Sequence, residues 1–99
     1  MSISTAENDG KLTIRVDGRF DFSIHQDFRA AYENAGDAVS SYEIDMRTTS
    51  YLDSSALGML LLLRDYAGGD NSNVSIVNTS PDVKKILTIS NFEQLFSVS

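Results

Sequence analysis

An α/β fold with a mixed, mostly parallel sheet, an opening hairpin and helices mainly on one face is predicted by three observations. Two stretches alternate strictly between apolar and polar residues, at 11–17 and at 42–46, the period of half-buried strands. Segments with helical apolar spacing follow each of them, introduced by Ser or Asp of the type that caps helix N-termini. A hairpin followed by alternating strands and helices forces crossover connections, and these build a mostly parallel sheet.

Lys11-Leu12-Thr13-Ile14-Arg15-Val16-Asp17 places Leu12, Ile14 and Val16 inward. Ile3-Ser4-Thr5-Ala6 is its candidate hairpin partner, with Asn8-Asp9-Gly10 as the turn. Gly18 is expected to end the second strand. Ser23-Ile24-His25-Gln26 reads as a capping box of Ser-x-x-Gln form. The first helix follows with Ile24, Phe28, Ala31, Tyr32 and Ala35 on one face, and Gly36 as its terminating residue.

Tyr42-Glu43-Ile44-Asp45-Met46 is expected to be the central strand, and Arg47-Thr48-Thr49-Ser50 a polar loop. Asp53-Ser54-Ser55 then caps the most apolar segment of the chain, Ala56 to Tyr66, which contains no proline or β-branched residue. Being apolar almost all round, this second helix is expected to be buried. It is too short for a membrane span, which needs about 20 apolar residues. Gly68-Gly69-Asp70-Asn71-Ser72 is a turn, Val74-Ser75-Ile76-Val77 a strand, and Ser80-Pro81 the cap and first residue of a third helix. Val83, Ile86 and Leu87 are its inward positions, with Ser90 as a further candidate. Asn91 stops it, and Phe92-Glu93-Gln94-Leu95-Phe96 is expected to pack back as a short strand or turn.

The 99 residues are expected to form one domain, 1–99, large enough to bury a core without disulfides. There is no cysteine, so disulfides, thiolate metal sites and a cysteine nucleophile are excluded. The N-terminal residues, Met1 to Glu7, show neither a basic region nor an apolar one of the secretory type. With the missing cysteines, this leads to the expectation of a cytoplasmic protein. The net charge of −6, with basic residues scattered except at Lys84-Lys85, argues against nucleic acid as the main partner.

The single histidine, His25, could complete a triad with Ser54 and Asp21, but no Gly-x-Ser-x-Gly elbow supports it. A histidine in a first helical turn is several times more often a surface residue. One histidine and dispersed carboxylates give no metal-binding spacing, and no glycine-rich phosphate loop precedes a helix. The expectation is a non-enzymatic protein without cofactor or metal. Asp53-Ser54-Ser55 allows another use. A phosphate on Ser54 would add about −1.5 to −2 charge and three acceptor oxygens. At a helix N-terminus that charge need not unfold anything, so its effect would fall on a partner. The competing reading is that Asp53 and Ser54 only cap the helix, and the residues alone favour it, since capping serines are common.

Tyr51-Leu52-Asp53-Ser54-Ser55-Ala56-Leu57-Gly58 resembles the signature of the STAS domain of bacterial anti-sigma-factor antagonists, with Ala56 where that family usually has glycine. Gly18-Arg19-Phe20-Asp21 and Ser80-Pro81-Asp82-Val83-Lys84-Lys85-Ile86-Leu87 resemble two further family segments, in the right order. The resemblance implies a partner-switching protein, phosphorylated on Ser54 by a serine kinase that is often the anti-sigma factor itself. A PP2C-type phosphatase would reverse the mark. In the commonest wiring the unphosphorylated form binds the anti-sigma factor. Asp21, Phe22, Thr49, Ser50, Asp53, Ser54, Ser55 and Met59 are the expected partner surface. Met59 and Leu62 or Leu63 are candidate apolar contacts, set against the commoner role of such residues as core. The expected state is a monomer or weak dimer with no membrane insertion. The alternative is a constitutive STAS subunit of a lipid-transport or stressosome-like complex.

Overall fold

The computed structural model describes residues 3–36 and 38–99. Met1 and Ser2, part of the stretch read for a leader, lie outside the described residues. The opening hairpin joins β1 (Ile3–Asn8) to β2 (Lys11–Val16) in antiparallel register, with Thr5 opposite Ile14. Asp9 and Gly10 form its two-residue turn, both with positive φ (53° and 81°), as a type I′ turn requires. The sheet continues in parallel through β4 (Ser41–Asp45), β6 (Val74–Val77) and β7 (Ser97–Val98), in the order β1-β2-β4-β6-β7. The central position of β4 agrees with the alternating pattern of 42–46.

Only one face of this sheet is sealed. In β2 and β4 alternate residues are buried, and Leu12, Ile14, Val16, Tyr42 and Ile44 point into the core while their neighbours stay more accessible. The covering layer consists of α1 (His25–Glu33), α2 (Ser54–Tyr66) and α3 (Pro81–Ile89). Phe28, Leu60, Leu63 and Leu87 fill the space between that layer and Ile14, Ile44 and Ile76. No helix among the described residues is long and apolar enough to cross a membrane.

Three local expectations are corrected. Gly18 does not merely end a strand: with φ of +80° it opens β3 (Gly18–Phe20). The polar loop 47–50 becomes a strand at its end, β5 (Thr49–Leu52), which pairs in parallel with β3 as a separate two-stranded ribbon. The Ser23–Gln26 capping box does not form. Asp21 accepts the Ser23 N–H instead and caps a 3-10 turn over Phe22–Ile24, from which α1 continues without a side-chain cap of its own. Of the two forms expected for Phe92–Phe96 the turn is found, a 3-10 turn at Phe92–Gln94 after Asn91 has stopped α3 in the left-handed conformation, and a strand comes only later as β7. The Ser80 cap and Pro81 stand as the sequence reads them, with Ser80 Oγ accepting the Val83 N–H at 3.3 Å.

The second helix also differs from the expectation of all-round burial. Ala56, Met59, Leu60 and Leu63 face the core, whereas Leu61, Leu62 and Tyr66 are exposed. Gly58 lies on the same outer side, and a Cβ added there would meet nothing within 4 Å. A helical glycine in open space only loses conformational entropy. Gly58→Ala is therefore expected to stabilise the fold by about 0.5–1 kcal/mol, seen as a rise in thermal midpoint by circular dichroism. A fall would mean that the surface over Gly58 is covered.

Candidate functional site

The β3–β5 ribbon positions the site. Phe20 stands opposite Leu52, so the two chains leave their strands side by side, one at Asp21 and the other at Asp53. Both aspartates are extended and both cap the turn that follows. Asp21 Oδ1 accepts the Ser23 N–H at 3.0 Å and the Ser23 hydroxyl at 2.5 Å. Asp53 Oδ1 accepts the Ser55 hydroxyl at 2.6 Å and the Ala56 N–H at 3.1 Å. The site is thus a pair of Asp-x-Ser turns in which aspartate and serine hold each other and the middle residue faces outward. The middle residues are Phe22, 64% exposed, and Ser54, also exposed.

This geometry separates the two adjacent serines. The Ser55 hydroxyl is committed to Asp53, while the Ser54 hydroxyl makes no side-chain hydrogen bond among the described residues. Ser54 is the first residue of α2, where the unpaired N–H groups and the helix dipole favour an added anion. The two aspartates work against that charge. Hydrogen bonds from the Ser23 hydroxyl and then Arg19 hold the Asp21 carboxyl below its ordinary value. The Ser55 hydroxyl and then the Ala56 N–H do the same for Asp53, with the Asp21 charge opposing.

Both carboxyls have lowered folded-state pKa values. Their stabilisation is therefore fully present above the ordinary value of 3.8 and is lost as pH falls through the lowered ones. Asp53→Asn keeps a capping side chain but not the charge, so its urea midpoint should fall less steeply than wild type below pH 3.8. Parallel acid limbs would show that Asp53 does not titrate with unfolding.

The rim is built by neighbours. Arg19 Nε donates to Asp21 Oδ2 at 3.1 Å, and its guanidinium lies 4.2 Å from the centre of the Tyr51 ring, the residue opposite it in the ribbon. The Phe22 ring stacks on His25 at 4.2 Å, and the Phe22 carbonyl accepts from His25 Nδ1 at 3.1 Å. His25 is thus engaged with Phe22, and no hydrogen bond links it to Ser54; the triad is not assembled. A shallow, mainly apolar groove between α1 and α2 is lined by His25, Phe28, Arg29, Tyr32, Met59 and Leu62. Among the described residues no group of three or more His, Asp or Glu is placed to hold a metal ion.

The expected site residues divide accordingly. Asp21, Phe22, Asp53, Ser54 and Ser55 come together at the ribbon end, and Ser50 is exposed on β5. Thr49 is a correction: it is 6% exposed and its hydroxyl donates to the Val16 carbonyl at 2.7 Å, so it ties β5 to β2 and offers nothing to a partner. Met59 is 7% exposed and forms the floor of the groove more than its surface. Of the two leucine candidates, Leu62 is exposed, at 60%, while Leu63 is buried. At about 100° per residue Leu63 falls opposite the exposed Ser54 and Leu62 about a quarter turn from it. Arg19 and Tyr51 were not singled out, because their meeting depends on the β3–β5 pairing.

Fold and site define a small open-sheet α/β protein that presents a free serine hydroxyl between two capping aspartates. The chain belongs to the STAS-domain family: the family model described as "Mlab, STAS domain" matches residues 3–97. It is 62% identical over 89 residues to a STAS-domain containing protein of Pseudomonas aeruginosa strain UCBPP-PA14, covering 90% of this chain and 88% of that one. Among solved structures, the anti-sigma factor antagonist SpoIIAA in its unphosphorylated form superposes with a TM-score of 0.82 at 21% identity, over 98% of this chain and 87% of that one. A putative anti-sigma factor antagonist from Thermotoga maritima superposes with a TM-score of 0.83 at 12% identity, over 97% and 84% of the two chains. At these identities the superpositions establish the shared fold.

Proposed function

We propose that this STAS protein is an anti-sigma factor antagonist, a binding module switched by reversible phosphorylation of Ser54. The observation that carries the reading is the division of labour at the start of α2. Asp53 and Ser55 satisfy each other and the helix cap, leaving the Ser54 hydroxyl exposed and without a structural task. If Ser54 served only the cap, its oxygen would be the one bonded to the first turn, and that place is taken by Asp53. The SpoIIAA likeness supports the reading, since that protein is an anti-sigma factor antagonist with a named unphosphorylated form.

In the forward reaction the Ser54 oxygen attacks the γ-phosphorus of ATP. The new Oγ–P bond forms as the bond to the leaving ADP breaks, and a base of the kinase takes the hydroxyl proton. This chain contributes the acceptor and a rigid surface around it. The partners on this reading are an anti-sigma factor or serine kinase, and a PP2C-type phosphatase for the reverse step. The binding surface comprises Phe22, Ser50 and Ser54 with the capping pairs beneath them, and it extends over Leu62. The test is intact-mass measurement of the protein from its native cells under growth, starvation and stress. A phosphorylated species in wild type that is missing from Ser54→Ala supports the switch. No phosphate under any of these conditions overturns it in favour of a constitutive STAS subunit in a larger complex.

A further inference from the structure

The opposite end of the molecule carries a second feature, independent of Ser54. Strand β1 is an edge of the sheet and pairs only with β2. A two-residue hairpin makes the residues flanking its turn a hydrogen-bonded pair, and bonding alternates from there. Asn8, Ala6 and Ser4 therefore spend their N–H and C=O groups on β2, and those of Ile3, Thr5 and Glu7 point off the sheet. Natural edges are usually blunted by several charged side chains, lysine above all, or by proline, a bulge or a covering element, and here Glu7 is the single charge along β1. Within Ile3–Asn8 there is no lysine or proline, the register to β2 is unbroken, and Ser4 through Asn8 are exposed.

The helix above does not close the edge either. Alpha-1 packs across β1 and β2, but along β1 it presents Ala30 and Ala31, with Ala35 just past its end, whose side chains are too short to fill the space. A groove of about 480 Å³ remains between them. Its lining includes two carboxylates, Glu7 and Asp27, and no lysine or arginine. Neither carboxylate is in an ion pair; the ion pairs of the described residues involve other groups.

We infer that the β1 edge and its groove accept an extended, lysine- or arginine-bearing segment of a partner protein as an additional strand. The backbone groups of Ile3, Thr5 and Glu7 would supply the ladder, the alanine face of α1 would receive apolar side chains, and Glu7 and Asp27 would meet the cations. A second copy of this chain is a poorer occupant, because it would bring a second acidic groove against the first.

The probe is the blocked hexapeptide Lys-Thr-Val-Thr-Lys-Thr, whose lysines and valine share one face of an extended strand, with Glu-Thr-Val-Thr-Glu-Thr as control, followed by amide exchange and chemical shifts in NMR. Binding of the basic peptide should slow exchange at Thr5 and Glu7 but not change Ser4 and Ala6, already bonded to β2. The acidic peptide should do neither. Thr5→Pro removes an outward donor and should abolish binding; should it unfold the hairpin, Glu7→Lys with Asp27→Lys is expected to weaken binding about tenfold or more with the fold intact. Shifts centred elsewhere, new protection at Ser4 and Ala6 alone, or equal binding of both peptides would overturn the inference. Concentration-dependent protection of Thr5 and Glu7 without peptide would also overturn it, assigning the edge to a second copy.

Discussion

Ser54→Asp is expected to bind the proposed anti-sigma partner about 30- to 1,000-fold more weakly than Ser54→Ala, while both variants unfold at nearly the wild-type temperature. The two halves of this expectation have different causes. Within the free protein, a negative charge at the first residue of α2 gains from the helix dipole about 0.3–1 kcal/mol and loses a similar amount to Asp53 and Asp21, so the fold is indifferent. Within an interface centred on Ser54, the same charge is desolvated beside two carboxylates whose lowered pKa values keep them ionised. Mismatched charge in such a setting costs several kcal/mol, and about 2–4 kcal/mol corresponds to the stated range. Calorimetric titration of the partner into each variant, beside circular dichroism melts, reads both halves. Tighter binding by Ser54→Asp would assign the reversed wiring, in which the partner carries cations for the phosphate. Equal binding by both variants would remove Ser54 from control of that partner.

The second large effect concerns stability and separates the two sides of α2. Leu60 is fully buried, and Leu60→Ala is expected to cost about 3–4 kcal/mol in lost transfer energy and cavity formation. That is a large share of the roughly 5–15 kcal/mol that holds a domain of this kind together. Two residues on, Leu62 is exposed, and Leu62→Ala should change stability by no more than about 0.5 kcal/mol. Its cost should appear in partner binding instead, since the leucine borders the groove between α1 and α2 that His25 and Met59 also line. Urea unfolding of both variants checks the pair. Equal destabilisation would mean that Leu62 packs in the core and that the outer side of α2 is not a surface.

These neighbouring leucines show how far the chain can be read without coordinates. Periodicity alone located β2, β4, β6 and the apolar faces of α1 and α3, because each element buries a face that repeats at its own geometric period. The short-range signals for the Asp9-Gly10 turn, the Asp53 and Ser80 caps and the Asn91 stop also held, since each acts through its own or the next few residues. The α2 run defeated periodicity: with apolar residues on every side, its composition does not say which side faces the sheet.

The Ser23–Gln26 box was displaced for a related reason. Asp21 sits two residues earlier, at the end of a strand that no alternation announces, and its carboxylate takes the cap. Likewise the strand character of Thr49–Leu52, the burial of Thr49 and the meeting of Arg19 with Tyr51 all depend on β5 finding β3, a pairing between segments about thirty residues apart. The sequence by itself determined the class of fold, the core faces of β2, β4, α1 and α3, and the serine at the head of α2. Only the tertiary structure decided that Asp21 and Asp53 stand side by side, that Ser55 is tied down and Ser54 left free, and that β1 remains an open edge. Local patterns register what a residue prefers, whereas the site is made by strand pairing, which brings together groups that carry no mark of one another in the chain.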